Sequence, residues 1–219
     1  MIETVFVVGA SGRVGAQVTQ RLAEKGYHVY AGARHTDHLP KDDHITPVTL
    51  DIASISLEAL TELFKEKDAV IFTAGSRSQN LLQVDAFGAI KAMQAAEDAH
   101  VSRFVLLSSL YALEPERWSQ PPFDQLDEPL TDFNIAKFFA DRYLIDNTTL
   151  DYTILQPSFL IEGDYTGHIT TQVEKEANYQ NTIPDVAMTL VEILSTPKTI
   201  NRVIKMSGGP TPIKEALEQ

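Results

Sequence analysis

A chain of 219 residues, 43% hydrophobic and 22% charged, has room for one ordinary folded core without covalent staples. Its formal charge of −12 offers no basic surface for nucleic acid or an anionic membrane as a main partner. The absence of cysteine excludes disulfides, thiolate catalysis and cysteine metal sites. With no basic-then-apolar leader and no apolar run of membrane-spanning length, the expected location is the cytoplasm.

The chain opens on an apolar run, residues 5–8, followed by Gly9-Ala10-Ser11-Gly12-Arg13-Val14-Gly15. Val14, Val18 and Leu22 then recur on one face of a helix. Strand, glycine turn and helix in that order bring backbone N–H groups to a helix N-terminus, where the macrodipole favours a bound phosphate. Gly9 suits the tight turn, Gly12 a close approach of the backbone to a pyrophosphate, and Gly15 close helix–strand contact. Ser11, Arg13 and Val14 complete the candidate loop.

Residues 28–33 predict a second strand that ends on Arg34. At this strand tip an acid would hold the 2′-hydroxyl of NAD; a guanidinium suits the 2′-phosphate of NADP, with Arg13 as a second cation. NADP(H) is therefore the preferred cofactor and NAD(H) the other option. His35, His38 and His44 lie in a polar loop without the register a metal site needs, so no metal is expected. A third strand over 45–50 closes on Asp51-Ile52, where the acid either accepts the adenine amino group, with Ile52 against the ring, or caps a turn.

A short helix carrying Leu57, Leu60, Leu63 and Phe64 precedes a fourth strand, 68–72, which ends in the small residues Thr73, Ala74 and Gly75. A long helix is expected over 81–99, with Val84, Phe87, Ile90 and Met93 inward. A fifth strand, 103–107, ends in Ser108-Ser109. Residues 112–131, with Pro115, Trp118, Pro121, Pro122, Phe123 and Pro129, form an irregular loop. Its Trp118 and Phe123 either wall a substrate pocket or anchor the loop. The next helix is expected to turn Ile135, Phe138, Phe139 and Tyr143 to the core, with Phe133 and Lys137 paired on another face. A sixth strand, 151–155, meets Gln156-Pro157-Ser158; a helix with Ala187, Leu190, Val191 and Leu194 follows, then a last strand over 202–206 and a short C-terminal helix.

Regular alternation of strands and helices predicts an α/β, Rossmann-type doubly wound, mainly parallel sheet with helices on both faces. The whole chain, 1–219, reads as one NAD(P)-binding domain: a cofactor-binding core, 1–156, and a small substrate-side portion, 157–219. The glycine turn, Arg34, Asp51, residues 73–75 and Ser108-Ser109 all fall at strand carboxyl ends, where such sheets bind ligands.

With these segments in place, the chain resembles the atypical short-chain dehydrogenase/reductase family, in particular its small NmrA-like and biliverdin-reductase-B-like branch. The resemblance rests on GASGRVG at 9–15, GAR at 32–34, Asp51-Ile52, LLSS at 106–109, LDYTILQPSFL at 150–160 and the closing PDVAMTLVEIL and MSGGPTPIKEAL. It covers essentially the whole chain. It implies a Tyr-x-x-x-Lys pair after the fifth strand, the tyrosine giving a proton to a carbonyl and the lysine binding the nicotinamide ribose, with a nearby Ser or Thr. Here the pattern is Phe133-Asn134-Ile135-Ala136-Lys137, and a phenyl ring cannot donate a proton. Lys137 and Ser109 are the implied catalytic residues, with Tyr111 as a replacement hydroxyl. Thr73, Ala74, Gly75, Lys137, Gln156, Pro157 and Ser158 join the implied cofactor contacts, although Gln156 stands where related sequences often carry arginine.

Two classes of function follow. One is an oxidoreductase reducing a small quinone, flavin or carbonyl compound without the tyrosine. The other is a non-catalytic NADP(H)-responsive binding protein with a protein partner. A nucleotide-sugar epimerase is the weaker third, since those enzymes keep the tyrosine and carry a larger C-terminal domain. The expected partner is a small-molecule substrate and the expected state a monomer or weak homodimer.

Overall fold

A computed structural model describes residues 2–125, 131–175 and 179–219. Strands β1 (Thr4–Val8), β2 (His28–Ala33) and β3 (Ile45–Thr49) lie side by side in parallel. β4 (Ala69–Phe72), β5 (Arg103–Leu107) and β6 (Asp151–Pro157) continue the parallel sheet from the other side of β1. The later strands are β7 (Phe159–Ile161), β8 (His168–Thr170), β9 (Gln180–Thr182), β10 (Arg202–Gly208) and β11 (Thr211–Pro212). One nine-stranded sheet results, in the order β11-β8-β10-β6-β5-β4-β1-β2-β3, with β7 and β9 as a separate parallel pair. β10 is parallel to β6, whereas β8 and β11 add an antiparallel edge. After β3 the chain returns past β1 to form β4, so strand order reverses between β1 and β4 and opens a crevice at their carboxyl ends.

Helices α1 (Arg13–Glu24), α5 (Ile183–Leu194) and α6 (Ile213–Glu218) cover one face, burying Val18, Leu22, Leu190 and Leu217 with Val5 and Val7. α2 (Leu57–Phe64), α3 (Phe87–Asp98) and α4 (Thr131–Asn147) cover the other, burying Phe64, Met93 and Leu144 with Phe6 and Phe72. β4 and β5 are buried along their whole length, as strands covered on both faces must be. Arg103 is buried too, its guanidinium donating to Asp151 O at 2.6 Å and Thr153 Oγ1 at 2.7 Å.

Two helices differ from their expected orientation. The expected helix over 81–99 begins as a π-helical turn, Leu81–Ala86, and continues as α3. Its inward face is Gly88, Ala89, Ala92, Met93 and Ala96, while Phe87 is 52% exposed. A three-residue step falls about 60° short of a full turn, so the stripe Val84, Phe87, Ile90, Met93 winds around the helix and cannot stay on one face. The small residues let α3 sit close: a Cβ on Gly88 would lie 3.2 Å from Ile52 Cγ1.

On α4 the buried residues are Asn134, Ala136, Lys137, Ala140, Asp141 and Leu144. Phe139 is 54% exposed, and Phe138 packs edge-on against Trp118 at 6.2 Å. The face carrying Lys137 is thus the inward one, because its polar groups find partners at the strand tips. Trp118 also donates Nε1 to Tyr111 O at 3.0 Å, and Phe123 packs between Tyr111 and Phe159. Both aromatics therefore anchor the irregular loop; Pro129 lies outside the described residues. No described helix is long and apolar enough to cross a membrane.

Candidate cofactor site

The three glycines of the first turn have distinct environments. Gly9 has φ +88°, and a Cβ there would lie 2.6 Å from Ala74 N. A Cβ on Gly15 would fall 2.1 Å from Gly9 O and 2.7 Å from Thr73 Oγ1, so α1 meets the turn with no room for a side chain. At Gly12 the same test meets only Gly9 O, at 3.2 Å. Gly9 N and Ala10 N donate to Gly32 O at 3.0 and 2.9 Å, tying the turn to β2. Gly12 caps α1 without a side-chain hydrogen bond, and the first turn holds no acid. Ser11, Gly12 and Arg13 are exposed, while Val14 and Gly15 are buried beneath them. An open helix N-terminus with free approach at Gly12 fits a dinucleotide pyrophosphate.

Thr73 spends its hydroxyl on Val8 O at 2.9 Å, fixing the tip of β4 to β1, and Ala74 backs onto Gly9. Arg34 is exposed immediately after β2 and makes no ion pair among the described residues. Arg13 lies 3.6 Å from Glu162, across the mouth of the crevice in the loop after β7; both side chains are largely exposed. Asp51 accepts from Ala53 N and Ser54 Oγ, each at 3.1 Å, so the turn role is the one this conformation contains. Ile52 is buried against α3, at Gly88.

At the inner end, Lys137 is 5% exposed. Its Nζ donates to Leu107 O at 3.3 Å, lies 3.6 Å from Asp85 Oδ1, and sits 5.6 Å from the centre of the Phe133 ring. Asp85 comes from the π-helical turn and accepts from Ser76 N and Ser76 Oγ at 3.0 and 2.6 Å, close beside Gly75. One turn beyond Lys137, the fully buried Asp141 accepts from Ser108 Oγ at 2.8 Å and Gln156 Nε2 at 2.9 Å. Burial pushes the Asp141 carboxyl up to about 7 against the opposing pull of those two hydrogen bonds and the Lys137 charge. Among the described residues, Asp85 Oδ1, Asn134 Oδ1 and Asp141 Oδ1 find no hydrogen-bond partner.

Other expected contacts are placed less directly. Gln156 is buried with its amide committed to Asp141, and Ser158 accepts from Asn181 Nδ2 at 2.7 Å. Pro157 O accepts from Leu110 N at 2.9 Å. Ser109 is half-buried beside Ser108. Tyr111 is fully buried, with Arg117 and Lys205 over its ring at 4.3 and 4.9 Å, and burial raises its phenol above the ordinary tyrosine value. In this conformation it belongs to the packing under the irregular loop and presents no hydroxyl to a ligand. Sequence reading missed Asp85, Asn134 and Asp141. Asp141 did carry a signal, standing four residues after Lys137 and hence on the same helix face.

These features define a dinucleotide-binding Rossmann protein, and the atypical short-chain dehydrogenase/reductase pattern fits it. The family model described as NAD(P)H-binding matches residues 9–197, and the chain belongs to that family. The structure of the oxidoreductase ylbE from Lactococcus lactis is 44% identical, with a TM-score of 0.91 over 98% of this chain and 95% of that one. The uncharacterized sugar epimerase YhfK of Bacillus subtilis is 30% identical over 98% of this chain and 99% of its own length. The UPF0659 protein YMR090W of Saccharomyces cerevisiae is 32% identical over 98% and 97%. The chain is thus an NAD(P)-binding protein of an oxidoreductase- and epimerase-like family.

Proposed function

We propose that the protein is an NADP(H)-dependent oxidoreductase that reduces a small quinone, flavin or carbonyl compound without a tyrosine donor. The observation that carries this reading is the incompletely bonded ammonium of Lys137. Burying such a group costs several kcal/mol unless it is well paired. Lys137 has three N–H donors, yet among the described residues its polar partners are one carbonyl at 3.3 Å and one carboxylate at 3.6 Å, with the Phe133 ring centre 5.6 Å away. A lysine serving the fold alone would be bonded more fully; one that also holds a ribose hydroxyl keeps a donor in reserve.

NADPH would supply a hydride, with Gly9, Gly12 and Gly15 shaping the pyrophosphate cradle and Arg13 and Arg34 meeting the 2′-phosphate. Lys137 would hold the nicotinamide ribose, and Ser109 would orient the substrate or the carboxamide. Phe133 occupies the donor position, so acceptors that collect their proton from solvent, flavins and quinones, suit the site best. The same Phe133 favours a second reading, a non-catalytic NADP(H)-responsive protein whose cofactor occupancy alters a partner surface. Sugar epimerisation, the activity in the name of the Bacillus subtilis relative, is the weaker third because no tyrosine stands at 133.

The test is titration with NADPH and NADH, followed by a panel of quinones, flavins, aldehydes and nucleotide sugars while reduced-nicotinamide absorbance and sugar products are monitored. Tight NADPH binding with oxidation by one acceptor class supports the enzyme. Tight binding with no turnover replaces it with the responsive protein, and no binding removes both.

A further inference from the structure

The inward face of α4 carries Asn134, Lys137 and Asp141 at helical spacing, where a core-facing helix would ordinarily present apolar side chains. Asp141 joins three elements. From α4 its Oδ2 receives Ser108 Oγ at the tip of β5 and Gln156 Nε2 near the tip of β6. At the tip of β5, Leu107, next to Ser108, gives its carbonyl to Lys137, and Ser109 follows on the other side. The carboxylate is fully buried, one helical turn from Lys137 and bonded to Ser108, the residue before Ser109.

We propose that Asp141 is a positioning residue of the cofactor site, tying the tips of β5 and β6 to α4 so that Lys137 and Ser109 are held in place for the nicotinamide half of the cofactor. This inference rests on the reading that Lys137 meets the nicotinamide ribose. Among the described residues the charged group acting on Asp141 is Lys137, which in turn faces Asp85; Ser108 and Gln156 are neutral donors from the sheet. A charged carboxylate binds both donors more strongly than a neutral acid does. The ties are thus firmest when Asp141 is ionised, and its rise to about 7 puts the change in a convenient range.

NADH is the better probe, because it lacks the 2′-phosphate that itself titrates near pH 6. Its dissociation constant would be measured by fluorescence from pH 6 to 8.5 for the wild type, Asp141→Asn and Ser108→Ala. The wild type is expected to bind roughly tenfold more tightly at the alkaline end, about the worth of one charge-assisted hydrogen bond. Asp141→Asn should stay near the acid-side value throughout. Ser108→Ala removes a bond that holds the carboxyl pKa down, so it should move the midpoint to higher pH; it also serves if the asparagine variant does not fold. A flat wild-type profile overturns the proposal, as does either variant overlaying the wild type. Absence of NADH and NADPH binding by the wild type overturns the underlying cofactor reading as well, which distinguishes the two failures.

Discussion

Gly12 and Gly15 stand three residues apart in the same turn, yet alanine should act on them in opposite ways. Alanine inside a helix ordinarily gains about 1 kcal/mol over glycine. At Gly15 the new Cβ would lie 2.1 Å from Gly9 O, 2.7 Å from Thr73 Oγ1 and 2.9 Å from Gly9 C. Two of those atoms are backbone of the turn between β1 and α1, which is tied to β2 through Gly32 O, so α1 must move away from the sheet. Overpacking of this kind costs about 1–3 kcal/mol, and backbone against backbone belongs at the upper end. After the helix gain a net loss of about 2 kcal/mol remains, a fall in Tm of roughly 4–8 °C for a chain of this size. At Gly12 φ is −73° and the nearest atom is Gly9 O at 3.2 Å. Gly12→Ala should therefore leave the cofactor-free Tm within about 2 °C while its methyl obstructs the pyrophosphate, weakening NADPH at least about tenfold. Thermal unfolding with and without NADPH, together with fluorescence titration, reads both effects. Wild-type NADPH affinity in Gly12→Ala, or an unchanged Tm in Gly15→Ala, would refute the division of roles among these glycines.

Arg34→Ala should weaken NADPH by roughly tenfold or more and NADH much less, since a charge-assisted bond to phosphate is worth about 1.5–3 kcal/mol; equal losses in paired titrations would remove the 2′-phosphate assignment. Phe133→Tyr puts a phenol beside Lys137, whose Nζ already lies 5.6 Å from the ring centre, and should confer or raise reduction of aldehydes in a reduced-nicotinamide assay; no gain would count against a site intact but for its donor. Stability should fall as pH rises from about 4 to about 7, because the folded chain holds Asp141 neutral up to about 7 while the unfolded chain ionises it near 3.8. At about 1.36 kcal/mol per pH unit this reaches on the order of 4 kcal/mol as an upper bound, and denaturant melts of Asp141→Asn should lose most of that slope.

The parts of the fold legible in the sequence were those with a local cause. Gly9, Gly12 and Gly15 were assigned different tasks from their spacing between a strand and a helix, and two of those tasks have a visible cause: Gly9 has the positive φ of a tight turn, and Gly15 leaves no room for a side chain between α1 and Gly9. The strands from β1 to β6 announced themselves as apolar runs bounded by turns. β7, β8, β9 and β11 did not, because two or three residues cannot display a period and their pairing is fixed by distant partners. Asp51 was balanced between two roles, and the hydrogen bonds that make the turn run to Ala53 and Ser54, both unremarkable in sequence.

The largest misreading, the orientation of α4, has the same origin as the candidate site. Counting apolar residues puts Phe138 and Phe139 inside, and the fold puts Lys137 and Asp141 there instead. Apolar side chains on that face would serve stability better, since replacing buried ion pairs with hydrophobic residues is often neutral or stabilising. The surrounding core follows its pattern: α5 buries Val186, Ala187, Leu190 and Val191 in register, and β4 and β5 are buried throughout. A protein whose only purpose here was to pack a helix on a sheet would have no use for a buried ammonium facing a buried carboxylate. Departures from local rules concentrate where function imposes them. In this chain the departure lies along the helix face that meets the tips of β5 and β6.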